Sequence, residues 1–152
     1  MRFILATAFS CVAFWSVCAE EQAVAPGARD LADIMSATQL RHLKLSFAGA
    51  VQNWDLAKYE VGQMQRSFAS AAQYYPVFGE VPVARLIDDI SEPALAEVDK
   101  AIAGHDRDAF LKSFEKLTGA CNACHQAAKV GFIKIQVPTA SPFSNQVFSP
   151  VK

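Results

Sequence analysis

The sequence predicts an all-α fold: an antiparallel four-helix bundle followed by a non-helical apolar tail. Three observations predict it. Four segments within residues 30–131 repeat apolar residues at steps of three or four, the period of a helix with one buried face. Each is bracketed by starters and stoppers, Asp or Ser before it and Gly, Pro or a polar turn after it. The first two and the last two segments are joined by short turns and the middle pair by a longer link, and short turns make chain neighbours antiparallel. No strand-rich region and no internal repeat is present. One domain fits 152 residues, and 52% apolar content is enough for a single core.

The first 19 residues stand apart from this pattern. Met1 and Arg2 make a short basic start, and "FILATAFSCVAFWSV" follows as an apolar run. "VCA" at 17–19 is a small-x-small cleavage site, with Glu20 and Glu21 after it. This reads as a Sec-type signal peptide cut after Ala19. A retained anchor is the second reading, but the run falls short of the ~20 residues that span a bilayer. The surroundings of Cys11 and Cys18 do not suit lipidation. Cleavage removes both cysteines and leaves the mature chain only Cys121 and Cys124. The expected compartment is exported and oxidising, the periplasm of a Gram-negative cell, with no membrane span left after cleavage. A net charge of −1 carries no basic surplus for nucleic acid.

The elements follow in order. Residues 20–29 are a polar lead-in. Asp30 caps a first helix ending near Val51, with Leu31, Ile34 or Met35, Thr38, His42, Leu45 and Gly49 on one face. "QNWD" is a turn, and Asp55 is the expected cap of a second helix. Ala57, Val61, Met64, Phe68, Ala71 and Tyr75 form its stripe, and Pro76 ends it. The link "VFGEVPVARLIDDI" holds a helical turn near 83–87. Ser91 is the expected N-cap of the third helix, with Pro93 in its first turn and Gly104 as its stop. Asp106 caps the fourth helix, whose inner face is Phe110, Phe114, Leu117, Cys121, Cys124 and Ala128, with Gly131 as stop. The tail, 132–152, contains Pro138, Pro142 and Pro150, which exclude a helix. Its Phe132, Ile133, Ile135, Val137 and Phe143 are too apolar for a free end, so it is expected on or near the bundle. The domain division is therefore 1–19 signal peptide, 20–131 bundle and 132–152 extended tail.

The chemistry is carried by "GACNACHQAAKVGF". On a helix, positions i, i+3 and i+4 share one side. Cys121, Cys124 and His125 therefore present two sulfurs and an imidazole over one patch. Cys-x-x-Cys-His is the attachment signature of c-type haem: two thioethers fix the ring and the histidine meets the iron. Zinc would need four protein ligands; the mature chain offers no other cysteine, and its other histidines, His42 and His105, would have to converge on the fourth helix. A reactive dithiol favours a helix N-terminus after a strand, whereas this pair lies late in a helix. A disulfide between Cys i and i+3 of one helix is poorly shaped. Export agrees with haem, because c-type haem is attached after export.

On these residues the chain resembles the class II c-type cytochromes, the group of cytochrome c′ and its low-spin Met-ligated relatives. The resemblance covers about residues 28–131, and its specific part is "CNACHQAAK". An aromatic is usual three residues after the haem histidine, followed by Arg or Lys. Ala128 departs from the aromatic, Lys129 keeps the cation, and Phe132 stands a few residues on. The tail is longer than the family's. The resemblance implies one covalent haem c on Cys121 and Cys124, with His125 as proximal iron ligand. It puts Ile34 or Met35 over the other face of the iron. Met35 is the expected distal ligand, and Met on iron raises the potential relative to two imidazoles. His42, two turns along, is the weaker candidate as distal ligand or pocket residue. Thr38 and Lys129 join Ile34 as pocket residues, and Arg41 and Lys44 are further cations for the propionates. Met64 reads as core.

The expected function is one-electron transfer with a periplasmic redox protein, not enzymatic turnover. The alternative is a five-coordinate, cytochrome c′-like binder of nitric oxide or carbon monoxide, with Ile34 over an open iron face. The resemblance also implies a homodimer through the first two helices.

Overall fold

The computed structural model describes residues 29–151. The expected signal peptide with its cleavage after Ala19, Cys11, Cys18 and most of the lead-in lie outside the described residues. The fold is all-α: α1 (Leu31–Ala50), α2 (Trp54–Tyr74), α3 (Val83–Leu86), a π-helical turn (Ile87–Ser91), α4 (Glu92–Ala103) and α5 (Arg107–Ala127). Among the described residues the only β-type pairing is an isolated bridge between Phe78 and Val81, closed by Gly79 at φ 60°. No helix among them is long and apolar enough to cross a membrane.

Each helix start has a local cause. Asp30 accepts from the Ala32 N–H at 3.2 Å and opens α1. The cap of α2 is Asn53, whose Oδ1 accepts from the Leu56 N–H at 3.2 Å, and not Asp55 as expected. Gln52 takes a left-handed φ of 60°, which tightens the turn and starts the helix two residues sooner. Asp55 then lies in the first turn, where a negative charge suits the helix dipole. Asp106 caps α5 through the Ala109 N–H at 2.9 Å.

Ser91 does not cap α4. It is already helical, at φ −83° and ψ −46°, and makes no capping bond. The chain is helical without a break across 83–103, so there is no free N-terminus to cap. Pro93 supplies the reason for the π-turn. Within an α-helix it lacks the N–H for the carbonyl four residues back and its ring crowds that carbonyl. Just before it the chain opens to an i→i+5 bond, Glu92 N–H to Ile87 carbonyl. Gly131 is likewise not the stop of α5. The helix ends at Ala127, and Lys129 takes the left-handed position at φ 62°. The Val130 N–H returns to the His125 carbonyl at 2.9 Å and the Lys129 N–H to the Gln126 carbonyl at 3.1 Å.

The core is one cluster in which Leu45, Met64, Leu95, Phe110, Phe114 and Leu117 are fully buried or nearly so. α1 packs on α2 and α5, and α4 packs on the same two helices. The α1–α5 contacts pair residues in reverse order. Arg107 Nε donates to the Ala50 carbonyl at 3.0 Å, Phe110 lies against Gly49, and His42 meets Phe114 and Thr118.

Residues 132–151 have no regular structure and form a strap. Near its start Asn122 of α5 bonds to the Ile135 backbone. Further on Phe143 lies under Lys44 of α1 (Nζ 5.0 Å from the ring centre), and Phe148 packs 5.5 Å from the Phe47 ring. At its end Asn53 Nδ2 donates to the Phe148 carbonyl at 2.9 Å.

Candidate functional site

Cys121, Cys124 and His125 occupy the last turns of α5, half-buried, with both thiols free. Burial pushes the Cys121 thiol up to about 11, and the neighbouring Cys124 adds to the rise. Burial also raises the Cys124 thiol, opposed by the nearby Ser91 hydroxyl on the π-turn. Both are held as neutral thiols, the opposite of what a nucleophilic dithiol needs.

His125 Nδ1 lies 2.8 Å from the Ile133 carbonyl at the start of the strap. A carbonyl only accepts, so Nδ1 carries a proton, and in the neutral ring Nε2 is then the nitrogen with the lone pair. That is the tautomer of a histidine that binds a metal through Nε2. The Schellman turn at Lys129 reverses the chain and brings Ile133 back over the ring.

The α1 residues divide by direction. His42 is 3% exposed, and its ring lies 4.5 Å from that of Phe114. Thr118 Oγ1 donates to the Phe114 carbonyl at 2.9 Å, so it accepts from His42 Nε2–H, also at 2.9 Å. Desolvation lowers the His42 pKa to about 4 and keeps the ring neutral. Thr38 is buried, with its hydroxyl donated to the Ile34 carbonyl at 2.8 Å. Ile34 lines a recess between α1 and α2 with Gln63, Arg66 and Tyr74. Met35 is half-buried at the edge of the core cluster.

A seven-residue step turns a helix by only about 20° from its starting face and advances it by about 10.5 Å. Met35 lies seven before His42, and His125 lies seven after Thr118. From the His42–Thr118 contact, with α1 and α5 pairing in reverse order, Met35 falls level with His125. Ile34 falls about 80° round from His42, towards α2.

The remaining sequence candidates have other partners. Lys129 Nζ is 3.1 Å from Glu80, both well exposed. Arg41 is 3.4 Å from Glu60, whose side chain is buried. Lys44 covers Phe143. A groove of about 690 Å³ runs between α1 and the strap, lined by Ser36, Gln39, Leu43, Ile135, Pro138 and Pro142 among others, with His42 on its wall. Neither Cys121 nor Cys124 lines it.

Among the described residues no three His, Cys, Asp or Glu side chains converge as a metal cage does. Covalent haem asks for a different arrangement. The two sulfurs would add to the vinyl side chains of the porphyrin and a single nitrogen would meet the metal, so the donors must sit side by side. Free thiols at i and i+3 and a free Nε2 at i+4 fit that donor set. Sequence reasoning missed Asn122, Ser91 and the Ile133 carbonyl. Asn122 stood in the motif as a spacer, Ser91 as a cap, and a backbone carbonyl leaves no mark on the sequence; the apolar tail was the one available signal.

A scan against protein-family models and searches of curated proteins and of solved structures found no match.

Proposed function

We propose that this chain is an exported monohaem c-type cytochrome, a one-electron carrier of the class II type built on an antiparallel four-helix bundle. The observation that carries the reading is the state of the Cys-x-x-Cys-His residues. Two free thiols precede a histidine whose Nδ1–H is already bonded to the Ile133 carbonyl. The reversed order of the α1–α5 contacts supports the antiparallel arrangement.

Bound there, haem supplies an iron couple that takes up and releases one electron. The chain supplies the rest. Cys121 and Cys124 would hold the ring through thioethers, and His125 would offer Nε2 to the iron. The Ile133 carbonyl holds the Nδ1 proton and so the ring orientation. Met35, which the seven-residue step projects to the height of His125, would be the candidate for a second ligand to the iron. His42 is disfavoured there, because Nε2–H is engaged by Thr118 inside the core. Ile34 is disfavoured because it faces α2. Docking with a periplasmic redox protein would be small and transient.

The test is to express the chain with the haem-attachment machinery. Mass and absorption spectra of the ferric and ferrous forms, with and without carbon monoxide, are then compared for wild type and Met35→Leu. The expected wild type carries covalent haem, shows a sulfur-to-iron charge-transfer band and ignores carbon monoxide. Met35→Leu should lose the band and bind the gas. A wild type that binds carbon monoxide at once makes the protein an open-faced gas binder. A chain without covalent haem overturns the cytochrome reading.

A further inference from the structure

We infer that Asn122, a spacer residue of the Cys-x-x-Cys-His motif, is a positioning residue for the iron ligand: it clamps the strap so that the Ile133 carbonyl holds His125. The inference rests on the proposed haem attachment and adds to it a role for the strap.

The geometry is that of a peptide pair made with a side chain. Asn122 Oδ1 accepts from the Ile135 N–H at 2.8 Å, and Asn122 Nδ2 donates to the Ile135 carbonyl at 2.9 Å. The same Nδ2 donates its second proton to the Thr118 carbonyl at 3.1 Å, which ties the amide to its own helix. Both Nδ2 protons and one lone pair of Oδ1 are engaged, so the amide has a defined orientation. Two residues before Ile135, the Ile133 carbonyl accepts from His125 Nδ1. On its other side the Ile133 N–H is held by the Val130 carbonyl at 2.9 Å. The acceptor for the imidazole is thus pinned from both directions, by the turn after α5 and by Asn122. Ile133 itself is 45% exposed and stands outside the core cluster.

The consequence is electronic as well as structural. A bond from Nδ1–H to a carbonyl makes the imidazole more basic at Nε2, which favours ferric iron and lowers the potential. If Asn122 lets go, the strap moves, the bond is lost and the potential rises. A residue that only anchored the strap would change stability and leave the potential unmoved.

The experiment is a double-mutant cycle on the haem-loaded protein, read by redox titration. Asn122→Leu keeps the volume and removes all three hydrogen bonds. The second change is a chain ending at Gly131, which lacks the Ile133 carbonyl altogether. At a fixed potential Asn122→Leu should lower the ferric-to-ferrous ratio about three- to tenfold, or about 30 to 59 mV for one electron. Truncation should shift it in the same direction. The combination should shift it no further than truncation alone, because both act through one carbonyl. If the truncated chain does not take up haem, Ile135→Pro replaces it, removing the N–H that Asn122 accepts. An unchanged potential in Asn122→Leu, or shifts that simply add, overturns the positioning role while leaving a cytochrome. A wild type without covalent haem overturns the proposed function instead, so the two failures are distinct.

Discussion

Gly49 shows how closely α1 and α5 approach. It is buried in the last turn of α1, and a Cβ built on it would fall within the Phe110 ring. Phe110 is itself fully buried and stacks towards Phe114 at 5.8 Å, so the ring has no room to retreat. Two effects compete in Gly49→Ala. Helix propensity favours alanine by about 1 kcal/mol. Overpacking a well-filled core costs typically ~1–3 kcal/mol, and here the intruding atom is fixed to the backbone. We expect overpacking to win, with Gly49→Ala destabilised by about 1–2 kcal/mol. The measurement is the urea midpoint at constant m-value. Gly131→Ala is the contrast, because its Cβ would meet only the flexible, exposed Gln126 side chain. A Gly49→Ala variant as stable as wild type would mean that the two helices are farther apart than this contact implies.

Elements are joined here by asparagines with double duties. Asn53 caps α2 through Oδ1 and holds the end of the strap through Nδ2, at the Phe148 and Ser149 carbonyls. Asn53→Ala removes both, and we expect a loss of about 1–2 kcal/mol, mainly the cap. Asn53→Asp keeps the cap and loses only the strap contacts, so it should recover most of that loss in urea unfolding. Equal losses in the two variants would assign the stability to the strap. The same elements show what the sequence could say. The four long helices were legible because their apolar period and their Asp and Gly flanks are local. Ser91 was misread because Ser-Glu-Pro is a good start signal only where no helix precedes it. At that place the π-turn ahead of Pro93 keeps the chain helical and turns Ser91 inward to Cys124. Cys121, Cys124 and His125 were legible as a motif. The tautomer of His125 was not, because it depends on a carbonyl eight residues away in a segment without periodicity. The different directions of Ile34 and Met35 were not legible either, since adjacent residues differ in direction only with respect to a neighbouring helix.

At the scale of the whole molecule, α1 and α5 meet across a histidine that must stay neutral. His42 is 3% exposed, rests on Phe114 and donates to Thr118. Its folded pKa is lowered by desolvation to about 4 from an ordinary 6.5. Between these values the unfolded chain binds more protons than the folded one, so stability rises with pH across that window. The contribution is complete above about pH 6.5 and is lost as pH falls through about 4. By linkage the loss reaches about 2 kcal/mol at pH 5 and about 3 kcal/mol at pH 4. The buried Glu60, beside Arg41, works in the opposite sense. Desolvation raises its pKa against the pull of Arg41, so its protonation on acidification favours the folded state. The net acid response of the protein therefore mixes the two, and His42 has to be isolated by difference. His42→Leu keeps an apolar contact with Phe114 and leaves Thr118 bonded to its own helix through the Phe114 carbonyl. Urea unfolding of wild type and His42→Leu at pH 7.5, 6, 5 and 4.5 gives that difference directly. We expect the stability advantage of wild type over the variant to shrink by about 2 kcal/mol from pH 7.5 to 5, with Glu60 cancelling because both proteins retain it. A difference that stays constant across this range would mean that His42 is not the group through which acid loosens the packing of α1 on α5.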